Sequence, residues 1–285
     1  MKGGVVVNMT IVRTGPLTVL KDRGRPGHAH QGVAPTGAVD RRAYARANAL
    51  VGNAPGAAAL ECTLGGLRVF FDAPALVVLT GTDAVLEVQG RHAGPEQVVR
   101  VPAEATVSVT MPRRGLRSYL AVRGGFAVPP VLGSRSTDRI GGIGPPRPAP
   151  GDVLPVGVWP ACPDEAGPAE AEDGPLELDL GPRDDWFTAE AVATLLSAEF
   201  TVTPSSDSVG LRLDGPVLAR ARTDELPSEG VVRGAVQVPP DGKPIVFQAD
   251  HPVTGGYPVI AVLTPRAADR AAQLRPGATV RFTRA

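Results

Sequence analysis

The 285-residue sequence predicts a mainly β fold with a few short helices. Three observations carry that expectation. Glycine (34) and proline (30) together far exceed the roughly 12% of average usage, and punctuation that dense cuts a chain into short segments. Hydrophobic residues still reach 43%, enough to build a core. Short apolar runs rich in β-branched side chains, bounded by Gly, Pro or Asp, recur along the whole chain.

The first half offers strands at residues 5–12, 67–71, 75–80, 106–111 and 118–123, with a final one at 153–158. The run Thr106-Val-Ser-Val-Thr-Met alternates apolar with small polar residues, as a sheet buried on one face requires. In the second half the pattern resumes at 176–180, 209–213, 231–238, 244–248, 258–263 and 278–282. Spacing of this kind predicts a sandwich or a closed barrel, where closure removes exposed strand edges.

Three helices interrupt the strands. Residues 40–51 place Ala43, Ala47, Leu50 and Val51 on one face, and Gly52-Asn53 stops the run. Residues 189–200 follow Thr188 as cap, with Phe187 and Val192 spaced as a hydrophobic staple and Glu190 near the positive end of the dipole. The last helix has Thr264 as cap and Pro265 at its first position, and runs toward Gln273 and Leu274. Repeated prolines and clustered carboxylates after residue 145 mark the boundary, giving a lobe at 1–160, a Pro/acidic linker at 161–175 and a lobe at 176–285.

Several function classes are excluded. Basic and acidic side chains balance at 29 each, so no cationic surplus drives phosphate-backbone binding, and nucleic acid is not an expected partner. No run approaches the roughly 18 apolar residues of a membrane span, and the start lacks a cleavable signal, so a cytoplasmic location is expected. No phosphate-binding G-x-x-x-x-G-K-[ST] loop is encoded, and Arg139-Ile-Gly-Gly-Ile-Gly neither follows a strand nor opens a helix. His28 and His30 alternate as ligands on one strand face would, but four histidines and no Cys-x-x-Cys give no metal site. Cys62, in an apolar run, is a small core residue. No internal Met-Lys pair of the biotin-attachment kind occurs, so a biotinylated group would belong to another chain.

What remains are polar residues in glycine-rich turns. Arg23-Gly-Arg-Pro-Gly and the later Gly32-Val-Ala-Pro-Thr-Gly-Ala-Val-Asp40 lead into the first helix, where free backbone N–H groups beside basic side chains suit an anion. Gly133-Ser-Arg-Ser-Thr137 sets hydroxyls around Arg135, whose guanidinium can hold a carboxylate or phosphate bidentately.

These motifs, with Asn48-Ala-Leu-Val-Gly-Asn53, Leu60-Glu-Cys-Thr-Leu-Gly-Gly66, Leu79-Thr-Gly-Thr-Asp83, Tyr119-Leu-Ala-Val-Arg-Gly-Gly125, Gly234-Ala-Val-Gln-Val-Pro-Pro and Thr254-Gly-Gly-Tyr-Pro258, resemble the allophanate-hydrolase-subunit-2, or biotin-dependent carboxyltransferase, family. The resemblance implies two cyclophilin-like β-barrel lobes. It implies a hetero-oligomer with a subunit-1 or subunit-B-type chain, and with a subunit-A-type chain in the 5-oxoprolinase case. The activity it implies first is that of the C-type subunit of an ATP-dependent 5-oxoprolinase, opening 5-oxo-L-proline to L-glutamate, with ATP as co-substrate of the complex. The alternatives are carboxyl transfer to a urea-like amide, with carboxybiotin on another chain, and a non-catalytic antagonist that binds a kinase-inhibitor protein. Carried onto this chain, the motifs imply Asp83, Glu229 and Arg135 as catalytic residues. They imply Arg23, Ser134, Ser136, Ser228, Gln237, Asp250 and Tyr257 as substrate-binding residues for a small amide or lactam. One departure stands out: Asp207-Ser-Val-Gly210 carries Ser208 where the family commonly has a basic residue.

Overall fold

The computed structural model describes residues 7–158 and 174–285. Nearly all of the expected linker, Cys162 and the start of the expected strand at 5–12 lie outside the described residues. The chain divides into two compact units, Met1–Arg25 with Thr36–Ala169 and Pro26–Pro35 with Glu170–Ala285.

The first unit contains, in chain order, β1 (Asn8–Thr14), β2 (Leu17–Lys21), α1 (Arg41–Leu50), β3 (Ala59–Thr63), β4 (Leu67–Phe71), β5 (Ala75–Thr80), β6 (Leu86–Val88), β7 (Arg91–Ala93), β8 (Val99–Val101), β9 (Ala105–Val109), β10 (Arg117–Val122) and β11 (Val153–Pro155). They form a six-stranded sheet, β11-β1-β4-β9-β6-β7, and a five-stranded one, β2-β3-β10-β5-β8. Met9, Ile11, Val69 and Phe71 of the first share a core with Leu60, Leu79 and Leu120 of the second. Each such side chain contributes about 1.5–3 kcal/mol by leaving water.

The period of two explains why β10 is buried along its whole length. Leu120 and Val122 face the core between the sheets. Tyr119 and Ala121 point the other way, against Tyr44, Ala47 and Val51 of the α1 segment. α1 begins one residue later than expected because Asp40 is its cap, its carboxylate accepting from Ala43 N at 2.9 Å. The expected stop holds, with Gly52 at φ 71° and Asn53 tying the helix end to β10 through Asn53 Nδ2 to Val122 O (2.8 Å).

The second unit contains β12 (Leu176–Leu180), α2 (Ala189–Ser197), β13 (Phe200–Val202), β14 (Gly210–Asp214), β15 (Glu229–Gly230), β16 (Ala235–Gln237), β17 (Ile245–Phe247), β18 (Thr254–Gly255), β19 (Val259–Leu263), α3 (Pro265–Ala271), β20 (Thr279–Val280) and β21 (Phe282–Arg284). Eight strands form one nearly closed sheet, β20-β13-β14-β17-β16-β19-β12-β21. The last residues close it: β20 pairs with β13 at one end and β21 runs parallel to β12 at the other, with Arg281 alone between them. Leu178, Phe200, Val236, Val246 and Ile260 share the interior with α2 and α3, whose caps are Thr188 and Thr264 as expected.

Four differences from the sequence expectation have physical causes. α2 ends at Ser197 because fully buried Phe200 opens β13, pairing with Val280 of β20, while Thr201 and Val202 pair with β14. The expected strand 231–238 shrinks to β16, because Gly234 takes φ 89° just before it. β2, β3 and the short β6, β7, β8 and β13 were not expected: their charged or small residues mask the pattern until a neighbouring strand supplies the hydrogen bonds. His28 precedes a single 3-10 turn, Ala29–Gln31, and His30 lies within it, so they do not share a strand face.

Candidate functional site

In the first unit the expected residues gather on loops that follow β2 and β10. Asp22, buried, is their centre. Its Oδ1 accepts from the hydroxyls of Ser134 and Ser136, both at 2.6 Å, and from Gly24 N at 2.8 Å. Its Oδ2 accepts from Arg135 N at 2.6 Å. Four donors satisfy a carboxylate that burial would otherwise penalise. Both serine protons are therefore committed to Asp22, and the serines hold the loop in place.

The loop is fixed from other sides too. Buried Arg25 donates through Nη2 to Ser136 O, and buried Lys21 through Nζ to Thr137 O at 3.2 Å. Gly37 permits the close approach of the helix-entry loop: a Cβ there would sit 3.0–3.1 Å from the Arg23 and Gly24 backbone. Against this frame Arg135 is half-buried, its Nε donating to Val128 O at 2.6 Å. Its terminal nitrogens make no hydrogen bond to the described residues, so they are oriented and available to an oxyanion. Arg23, exposed on the neighbouring turn, is the second cation of this loop cluster.

Behind the cluster a buried network anchors the helix entry. Glu61 Oε2 accepts from Tyr119 Oη at 2.7 Å and from Val39 N at 3.0 Å, and the Tyr119 hydroxyl accepts from Asp40 N at 2.8 Å. Burial, reinforced by the Glu61 and Asp40 charges, pushes the Tyr119 phenol well above its ordinary range. It stays neutral and acts as a strut. Cys62 is fully buried, and burial pushes its thiol up to about 12, which leaves it packing.

Asp83 stands on a different turn. Its Oδ1 accepts from Arg113 N and Arg114 N, each at 2.8 Å. The Arg114 N–H, chiefly, holds its carboxyl below the usual carboxylate value. It is charged at neutral pH, so it can accept a proton or a hydrogen bond and is poorly suited to donate.

In the second unit a separate group forms. Gln237 is buried and donates through Nε2 to Tyr257 O at 2.9 Å. Its Oε1 accepts no hydrogen bond from the described residues. Gly255 packs directly on this amide: a Cβ there would come within 2.3 Å of Nε2. Gly255 also pairs across the β15–β18 ladder with Glu229, bringing a third expected residue to the same place. Glu229 faces Arg183, whose Nε lies 3.1 Å from both carboxylate oxygens and whose Nη2 also bonds Oε1. That pairing raises the Arg183 pKa. Ser228, next to Glu229, and Tyr257 are exposed. Asp250 is buried, and its N donates to Ser208 O at 2.9 Å, which sets the position that lacks a basic residue directly beside it.

Asp22, Arg25 and Arg183 were not among the expected residues. Asp22 lies 112 positions from Ser134, and Arg183 lies 46 from Glu229. Asp22 and Arg25 sit in Lys21-Asp-Arg-Gly-Arg25, a turn whose glycine and basic side chains suit an anion but give no sign that its carboxylate gathers distant donors. No helix among the described residues is long and apolar enough to cross a membrane.

The family profile "Carboxyltransferase domain, subdomain A and B" matches residues 31–284. The chain is 36% identical over 279 residues to the C-type subunit of 5-oxoprolinase from Escherichia coli, covering 96% of this chain and 90% of the relative. It is 32% identical to the corresponding 5-oxoprolinase component of Haemophilus influenzae, over 92% of this chain and 86% of the relative. The crystal structure of Kluyveromyces lactis urea carboxylase superposes with a TM-score of 0.90 at 27% identity, over 99% of this chain and 28% of that one.

Proposed function

The chain belongs to the family of carboxyltransferase domains with subdomains A and B, and from that premise we propose that it is the C-type subunit of an ATP-dependent 5-oxoprolinase. In this reading it helps open 5-oxo-L-proline to L-glutamate together with subunit-B-type and subunit-A-type chains. What favours it over the urea-carboxylase alternative is similarity: the chain is 36% and 32% identical to the two bacterial 5-oxoprolinase subunits, against 28–29% to the two urea amidolyases.

A lactam carbonyl resists water, and ATP supplies the driving force by turning its oxygen into a phosphate ester that leaves readily. The residues of this chain bind and orient. Gln237, its Nε2 held by Tyr257 O, presents Oε1 to the lactam N–H. Asp250, beside Ser208, lies in the same unit and completes the polar lining together with exposed Ser228 and Tyr257. Glu229, oriented by Arg183, is the proposed proton acceptor for the attacking water. Within the first unit, Arg135 with Arg23 on the adjacent turn can hold an oxyanion such as a carboxylate or a phosphoryl group. Ser134 and Ser136 act on Arg135 through Asp22 as positioning residues. Asp83 serves its own turn in this scheme and is placed outside the reacting group.

The test is reconstitution. The purified chain alone is expected to turn over nothing, and mixing it with its B-type and A-type partners is expected to restore ATP hydrolysis coupled one-to-one to glutamate release. Arg135→Ala should lower kcat/KM by about 100-fold, on the order of one or two charge-assisted hydrogen bonds, and Gln237→Ala, which loses a neutral one, by about 10-fold. ATP consumption without glutamate would end the proposal. Transfer of labelled carboxylate from carboxybiotin to urea would establish the alternative in its place.

A further inference from the structure

A polar row crosses the outer face of the six-stranded sheet in the first unit. Arg13 on β1 lies opposite Arg68 on β4, Arg68 opposite Ser108 on β9, and Ser108 opposite Glu87 on β6. All four line one open cavity of about 620 Å³, with Thr110 and exposed Met111 at its rim. That volume falls within the ~300–1,000 Å³ of small-molecule sites.

The row is built in an unusual way. Like charges directly opposite one another in an antiparallel pair repel, and such positions normally carry a compensating partner. Here Arg13 is pinned by Nε to Gly66 O at 2.9 Å, and neither arginine has a carboxylate partner among the described residues. Glu87 shares the cavity but stands two strands from Arg68, roughly 10 Å at the usual ~4.8 Å strand spacing. The cavity therefore presents two positive charges at one end, a hydroxyl in the middle and one negative charge at the other end. Its complement is a ligand with two negative charges and one positive, a few bonds long.

We propose that this cavity binds a small acidic α-amino acid, its carboxylates on Arg13 and Arg68 and its ammonium on Glu87. None of these residues belongs to the proposed catalytic group, so failure of either proposal leaves the other standing.

The experiment is calorimetric titration of the full chain with L-glutamate, L-aspartate, glutarate and inorganic phosphate. Saturable binding of an acidic amino acid is expected, with a Kd at or below about 1 mM. Arg68→Ala and Arg13→Ala should each weaken it at least ~10-fold, with folding checked by circular dichroism. Glutarate, which lacks the ammonium, should bind about 10-fold more weakly than L-glutamate, and Glu87→Gln should close that gap. A response that never saturates, or glutarate and phosphate matching L-glutamate, overturns the proposal and leaves an unselective cationic patch. So does L-glutamate binding that survives Arg68→Ala and Glu87→Gln but is lost in Gln237→Ala, because the amino acid then occupies the candidate catalytic group.

Discussion

At the scale of single residues, the decisive side chain of the first unit is Asp22. It organises four donors at 2.6–2.8 Å, and removing it strands two buried hydroxyls and two backbone N–H groups. Asp22→Ala is expected to cost about 3–5 kcal/mol in urea unfolding, and Ser134→Ala about 1–2 kcal/mol. An Asp22 variant as stable as the parent would show the loop to be held by other means. Gln248 makes the opposite case. It is 1% exposed, and neither its Nε2 nor its Oε1 has a hydrogen-bond partner among the described residues. Gln248→Met keeps the volume and removes the unsatisfied amide, so the unfolding free energy should rise by about 1–3 kcal/mol. Titration adds a third outcome. The carboxyls of Asp72 and Asp83 are lowered by backbone N–H donors, of Asn8 and Arg114 respectively, below an ordinary value of 3.8. A depressed native pKa stabilises above the unfolded value and loses that contribution as pH falls through the native one. Stability should therefore be flat above about pH 5 and decline below the usual carboxylate range. Asp83→Asn should shallow that decline, and an unchanged acid limb would refute its contribution.

At the scale of elements, Gly255 shows how a strand of two residues serves a site. Its missing Cβ gives the Gln237 amide its place, and the atom it would strike is the end of a flexible side chain. Gly255→Ala should therefore move the amide more than it unfolds the protein. The expected result is a KM at least ~10-fold higher in the reconstituted complex, with a melting temperature within a few degrees of the parent. A large melting loss with unchanged KM would mean that the glycine matters only for packing. The helices were legible because their signals are local: Thr188 and Thr264 accept from the N–H three residues on, at 3.1 and 3.2 Å. β9 was legible for the same reason, its alternation matching one buried face. β3 was not, because Glu61 breaks its apolar run. That carboxylate is buried because Tyr119 and Val39, distant in sequence, supply donors and Arg117 Nε lies 4.0 Å away.

At the scale of the whole molecule, the closure of the eight-stranded sheet depends on the last few residues of the chain. β20 and β21 satisfy edges at both ends of that sheet, and Phe282 packs on Phe200 with ring centroids 5.8 Å apart. Removing residues 277–285 should abolish cooperative unfolding of the second unit while the first keeps its own transition. A single unchanged transition would count against closure by this segment. The residue order alone settled the β-rich class, the three helices with the caps of the last two, and the ancestry, because periodicity, capping and motif order act over a few neighbouring positions. It also nominated candidate residues, though not Asp22, Arg25 or Arg183, which hold several of them in place. Which donors they retain was decided only by folding, because Asp22 claims the serine protons, Arg183 claims Glu229, and Tyr257 fixes one end of Gln237. Those choices rest on hydrogen bonds between groups 20 to 114 positions apart, and such pairings exist only once strand register has brought the loops together.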